Sequence, residues 1–191
     1  MALLTMKKRK QYFQDLGLGK YNATNIKKFQ KKYMHRSKDW DGIYGNDTDN
    51  LLRTCWNIWK YTKNFKAEEF ACECNGRHCC GYPTYMKDFQ LQALQAIRDH
   101  WKKPMTVTSG MRCRGYNSEL NGSTQNSLHL KGQATDFYMA GVTDTLANRK
   151  KAIAWIKKLK KHRYTYGDGI NSAGGRPYAP YMGNALHTDT Q

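Results

Sequence analysis

Ser127-Leu-His129-Leu-Lys-Gly132-Gln-Ala134-Thr-Asp136-Phe-Tyr-Met139 is the stretch from which the rest of the chain is best read. Thr135–Met139 has strand character with apolar residues on both faces, the pattern of a strand covered on both sides. Asp136 therefore projects from a segment that reads as buried, and a buried carboxylate is costly unless a cation or metal pairs with it. His129 stands seven residues earlier, with Gly132 to bend the chain so that both side chains converge. Near the other end, Ala185-Leu-His187-Thr-Asp189 alternates like a second strand. His187 and Asp189 would share one face there, about 6–7 Å apart at the backbone. Two His and one Asp make a three-ligand set with a fourth position for water, the open arrangement of a catalytic zinc site. A single carboxylate leaves residual positive charge to acidify that water and polarise a carbonyl. Spacing alone leaves a chance association of these three residues open.

Composition bounds the answer. The chain has 191 residues, 39% hydrophobic and 25% charged, which excludes a disordered chain and allows one domain or a small module plus a larger one. Aromatic content of 13%, with 13 Tyr and 5 Trp, suits surfaces that handle sugars or peptides and equally a Tyr-rich core. The 32 basic residues against 15 acidic give +17, a field that draws polyanions. The charge is spread through Lys7–Lys10, Lys27–Lys32, Lys102–Lys103 and Arg149–Arg163. Such a spread favours general adhesion to anionic polymers over specific nucleic-acid reading. No run approaches the roughly 18 apolar residues of a membrane span. The short apolar start, MALLTMKKRK, lacks the order of a secretory signal, so synthesis in the cytoplasm is expected.

Working outward, two parts are expected, residues 1–62 and 63–191. In the first, Ile26, Phe29, Gln30 and Tyr33 form a helical stripe. Asp41-Gly42 and Tyr44-Gly45 make a turn, and Asp47 or Thr48 is expected to cap a helix whose apolar face holds Leu51, Leu52, Cys55, Trp56 and Trp59. In the second, Leu91, Leu94, Gln95, Ile97 and Trp101 give Asp88–Lys103 helical spacing before Pro104, and Met105–Thr108 reads as a strand. A basic helix is expected over Leu146–Lys161, burying Ile153, Ile156 and Leu159. The fold class is α+β.

Phe29-Gln30 followed by Asp41-Gly42-Ile43-Tyr44-Gly45-Asn46-Asp47-Thr48 resembles small three-helix peptidoglycan-binding modules. That resemblance implies a wall-binding surface at Trp40, Asp41 and Tyr44; a purely structural helical hairpin is the plain alternative. Residues 65–190 resemble the M15 zinc peptidases, the D-alanyl-D-alanine carboxypeptidase and phage endolysin group. The resemblance rests on Ser127, His129, Gly132, Ala134 and Asp136, on Ser109-Gly110-Met111-Arg112 with Asn117, and on His187-Thr-Asp189. It implies a hedgehog-like antiparallel sheet with flanking helices, and zinc on His129, Asp136 and His187. Arg112 would steady a substrate carbonyl or the developing oxyanion, and Ser127 would contact substrate or position the ligand loop.

Relatives differ in the general base, and some carry an acid three residues before the last ligand His, where this chain has Asn184. Asp189 is taken as the base or as a partner of His187, an exchange of the two residues' roles being the alternative, with Asp168 an outside candidate. Cys72, Cys74, Cys79, Cys80 and Cys113 are expected to tie their loop to the Arg112 segment by disulfide or thiol packing, a second metal remaining open, and Cys55 reads as a core thiol. The function implied is that of a monomeric endolysin cutting peptide bonds in peptidoglycan after release through a holin-type pore. A catalytically inert wall binder and a basic nucleic-acid-binding protein are the rivals.

Overall fold

A computed structural model describes residues 2–167 and 182–191, with the backbone of 170–171 and 176–177. Three helices come first: α1 (Met6–Asp15), α2 (Ala23–Tyr33) and α3 (Asn46–Tyr61). Thr5 and Asn22 cap α1 and α2 by accepting first-turn amide N–H groups on their side chains. Ile26, Phe29 and Gln30 form the buried stripe of α2. The third helix is capped two residues before Asp47 and three before Thr48, the expected caps. Gly45 is its N-cap, and Thr48 lies buried in the first turn, where its hydroxyl accepts from Gln30 Nε2 at 3.0 Å. Leu51, Leu52, Cys55 and Ile58 make the buried face of α3. Trp56 stacks on Tyr12, whereas Trp59, expected inside, is 54% exposed.

α4 (Asp88–Trp101) buries Leu91, Leu94, Gln95 and Ile97 and ends at Lys102, whose left-handed φ of 51° turns the chain before Pro104. There follow β1 (Thr106–Ser109), α5 (Arg114–Glu119), β2 (Ala134–Tyr138), α6 (Leu146–Ile156), β3 (His162–Tyr166), the short pair β4 (Ile170–Asn171) and β5 (Arg176–Pro177), and β6 (Leu186–Thr190). The basic helix α6 stops five residues short of the expected Lys161, and Leu159 falls in the turn that follows. The main sheet runs β1-β2-β6-β3 with antiparallel neighbours throughout, so the architecture is α+β as expected.

One hydrophobic core runs from Leu4 and Phe13 through Leu51 and Leu94 to Phe137, Ile156 and Leu186. It crosses the junction expected between residues 62 and 63. Asn57 Nδ2 donates to the Met86 carbonyl at 2.9 Å and the Met86 amide donates to Thr54 Oγ1 at 3.2 Å, fixing α3 to the chain that leads into α4. Gln90, buried on α4, donates to the Thr188 carbonyl and accepts from Thr190 Oγ1, both at 3.1 Å. That pair of bonds locks β6 onto the helix behind it.

Candidate metal centre

Register brings the first two ligands together. In the β2–β6 ladder Asp136 stands directly opposite His187, and cross-strand partners on one face lie within side-chain reach. His129 arrives from a 3-10 turn, Leu128–Lys131, that closes on Gly132. Gly132 has φ +66°, and a Cβ there would sit 2.0 Å from the Tyr85 carbonyl oxygen, so only glycine allows the chain to turn back here.

His129 Nε2, Asp136 Oδ1 and His187 Nδ1 converge. The two nitrogens are 3.3 Å apart, and they lie 3.4 and 2.7 Å from the oxygen. Zinc bonds of about 2.0–2.1 Å place tetrahedral ligand atoms roughly 3.3 Å from one another, so the donor set fits zinc after a small widening of one edge. Each remaining polar atom is tied away from the centre. His129 Nδ1 donates to the Gly110 carbonyl at 2.6 Å, and His187 Nε2 donates to Asp189 Oδ2 at 3.1 Å. Asp136 Oδ2 accepts from Arg112 Nη2 at 2.6 Å. Each imidazole thus has its outer nitrogen occupied and its inner nitrogen aimed at the centre, the outer support that metal-binding His residues require. Tyr166 stacks on the His187 ring at 4.5 Å between centroids.

The charge state matches. Burial pushes the His129 imidazolium down despite the attraction of Asp136. Burial opposes ionisation of Asp136, yet the two histidines hold its carboxyl well below the usual carboxylate range. Burial would also lower His187, but its bonds to Asp136 and Asp189 outweigh that and hold it up to about 9. Without a metal the cluster keeps one proton between His187 and Asp136, at the short edge that a cation would occupy in its place.

The family model for Peptidase M15 matches residues 63–164. The chain belongs to the Peptidase M15 family. Curated relatives that it resembles are the peptidoglycan L,D-endopeptidases MepK of Escherichia coli strain K12 and of Shigella flexneri. Each is 33% identical over 106 residues, which is 53% of this chain and 46% of the relative. The chain thus spans about half the length of the curated relatives it matches. The segment matched by the M15 model contains Arg112, His129 and Asp136, while His187 and Asp189 follow it; β6 pairing brings His187 to the same centre.

Other residues singled out in the sequence fall around this M15 centre in different ways. Arg112 holds Asp136 and also donates from Nε to Ser109 Oγ at 2.9 Å, while its Nη1 has no hydrogen-bond partner among the described residues. Ser127 sits at the start of the 3-10 turn, where its carbonyl accepts from the Leu130 amide. Asp189 lies behind His187, with the imidazole between it and the converging ligand atoms. Asn184 accepts from Arg149 Nη1 at 3.1 Å. Asp168 lies outside the described residues.

Trp40, Asp41 and Tyr44 are engaged within the helical unit. Trp40 Nε1 donates to the Met34 carbonyl, Asp41 Oδ1 accepts from Gln30 and from the Ile43 amide, and the Tyr44 hydroxyl donates to Asp49. Ile43, between them in the same string, is 69% exposed at the tip of this loop.

Glu73, which no motif marked, also stands near the centre. Burial of its carboxyl raises its pKa, Tyr116 and Arg112 oppose the rise, and the charge of Asp136 adds to it, so Glu73 lies within electrostatic reach of the centre. Its Oε2 accepts from the Tyr116 hydroxyl at 3.1 Å. Only its place between Cys72 and Cys74, in a loop expected to meet Arg112, hinted at this position.

Proposed function

We propose that this chain is a zinc-dependent peptidase that hydrolyses peptide bonds in the stem peptides or cross-bridges of bacterial peptidoglycan. The observation that carries the reading is the convergence of His129 Nε2, Asp136 Oδ1 and His187 Nδ1, with every other polar atom of the three residues tied outward. Zinc held there would supply a Lewis acid that polarises the scissile carbonyl and lowers the pKa of water. Arg112, anchored through Asp136 and Ser109, offers Nη1 to a substrate carbonyl and its developing oxyanion. Glu73, beside Tyr116 in the loop next to Arg112 and with its carboxyl pKa raised by burial, is the acid assigned to carry the proton between attacking water and leaving amine. Asp189 fixes the tautomer and orientation of His187.

Two observations support the wall as substrate. The relatives' name specifies a peptidoglycan endopeptidase, and a net charge of +17 suits polymers rich in phosphate and carboxylate. We read the finer setting as that of an endolysin acting on the wall from within, with the helical unit and the exposed Ile43 loop holding it there. Purified peptidoglycan digested with the wild type and with His129→Ala, followed by mass spectrometry of the fragments, tests this. New peptide termini from the wild type and none from the variant are expected. Bound zinc without cleavage would leave an inert wall binder instead. Tight, salt-sensitive DNA binding with no metal requirement would overturn the reading in favour of nucleic acid.

A further inference from the structure

Four of the six cysteines form a cluster of their own. The Sγ atoms of Cys72, Cys74, Cys79 and Cys113 all lie within 4.8 Å of one another, and all four residues are buried. Cys74 and Cys79 are 3.5 Å apart at sulfur. Cys55 and Cys80, by contrast, belong to the main hydrophobic core, so Cys80 leaves the group expected from sequence. We propose that the four clustered cysteines are a closed tetrathiolate zinc site, separate from the His129–Asp136–His187 centre and structural in purpose.

Three features carry this. The first is distance: Zn–S bonds of about 2.3 Å put tetrahedral sulfurs about 3.8 Å apart, inside the observed spread. Two disulfides would draw the sulfurs into separate close pairs, whereas here all four converge.

The second is the hydrogen bonding. The Cys113 amide donates to Cys72 Sγ at 3.3 Å, the Gly81 amide to Cys79 Sγ at 3.4 Å, and the Tyr116 amide to Cys113 Sγ at 3.4 Å. Backbone N–H groups aimed at sulfur stabilise thiolate charge, which metal binding demands and neutral thiol packing does not.

The third is the make-up of the cluster. Apart from Tyr116, packed alongside, the cluster consists of the four cysteines alone. The loop that carries Cys72, Cys74 and Cys79 has neither helix nor strand over 71–81. The loop is also held by the Cys72–Gly81 and His35–Cys80 backbone bonds and by Arg77 and His78 on Glu119. The four cysteines at its centre bury little apolar surface of their own, however, and a structural zinc there would add folding free energy directly.

An all-sulfur tetrahedral donor set selects zinc or iron among common metals. Four ligands close the shell and leave no position for substrate. The site's contribution to the peptidase is positional. Glu73 lies between ligands Cys72 and Cys74, and Arg112 immediately precedes ligand Cys113. One ion would thus hold both residues against the centre on β2 and β6.

The test is metal content and cobalt substitution of the full-length chain. The wild type is expected to hold about two zinc ions per chain and His129→Ala about one. After exchange for cobalt, the ion retained by His129→Ala should show intense sulfur-to-cobalt charge-transfer absorption. Cys74→Ser with Cys79→Ser should abolish that absorption. Because the decisive spectrum comes from His129→Ala, the test stands even if the double serine variant does not fold.

Three results would overturn the assignment: a single zinc in the wild type that His129→Ala removes, no charge-transfer band in the retained ion, or iron in its place. A denatured, metal-free chain with only two titratable thiols would do the same, by showing the four cysteines paired as disulfides. None of these readouts depends on wall cleavage, so the site stands or falls separately from the proposed peptidase activity.

Discussion

His187 is held from two sides, by Asp136 at 2.7 Å on Nδ1 and by Asp189 at 3.1 Å on Nε2, and the two carboxylates serve different ends. Asp136 would share one cation with His187; Asp189 orients the ring from behind. Replacing Asp189 with Ala is therefore expected to weaken zinc binding about 10–100-fold, with activity restored by excess zinc. Glu73→Gln should behave in the opposite way. The zinc content stays at the wild-type level, kcat falls about 10²–10⁴-fold, and added zinc restores nothing. Zinc titration of activity in the two variants separates the roles; rescue of Glu73→Gln by metal would assign it to support of the site instead. His129 and Asp136 were legible because their spacing around Gly132 sits within one short string. Glu73 was not, because only tertiary packing of an irregular loop brings it near Asp136, and no periodicity records such a contact.

Among the elements, β2 and β6 do most to form the centre, since side chains alternate and a slip of one residue would turn Asp136 and His187 to opposite faces. β2 could be read from apolar residues on both faces and β6 from its alternation, as could α2 and α4 from their helical stripes. The start of α3 and the end of α6 could not. Thr48 looks like a cap locally but is recruited by Gln30 from a neighbouring helix, and α6 ends where the chain must turn into β3. The 3-10 turn that delivers His129 depends on Gly132 with φ +66° and the Tyr85 carbonyl against it. Gly132→Ala adds both left-handed strain and a backbone collision, so a loss of at least about 2 kcal/mol is expected. For a chain of this size that corresponds to a Tm lower by about 4–8 °C, and zinc affinity should fall with it. Calorimetry of the zinc-loaded variant checks the point. An unchanged Tm would mean that the turn relaxes without help from glycine.

At the scale of the whole molecule, charge and core lead to different expectations about the helical unit. Its likeness to a wall-binding module, with Lys7–Lys10 and Lys27–Lys32, suggests a detachable anchor. The core does not divide there. Leu51, Leu52 and Ile58 of α3 are buried in the same cluster as Leu91 and Leu94 of α4, and Asn57 and Thr54 bond the backbone at Met86. Exposing three such side chains would cost roughly 5–9 kcal/mol, comparable with the ~5–15 kcal/mol that holds a typical domain together. Residues 63–191 expressed alone are thus expected to lack a cooperative thermal transition and to bind a hydrophobic dye, although every proposed zinc ligand is present. Adding residues 1–62 in trans should recover part of the transition, because the missing contacts come from a continuous helical surface. A cooperative transition within a few degrees of the full chain would show instead that the helices are an independent anchor. Wall binding by residues 1–62 alone, and its decline with salt, would then become the measure of what they do.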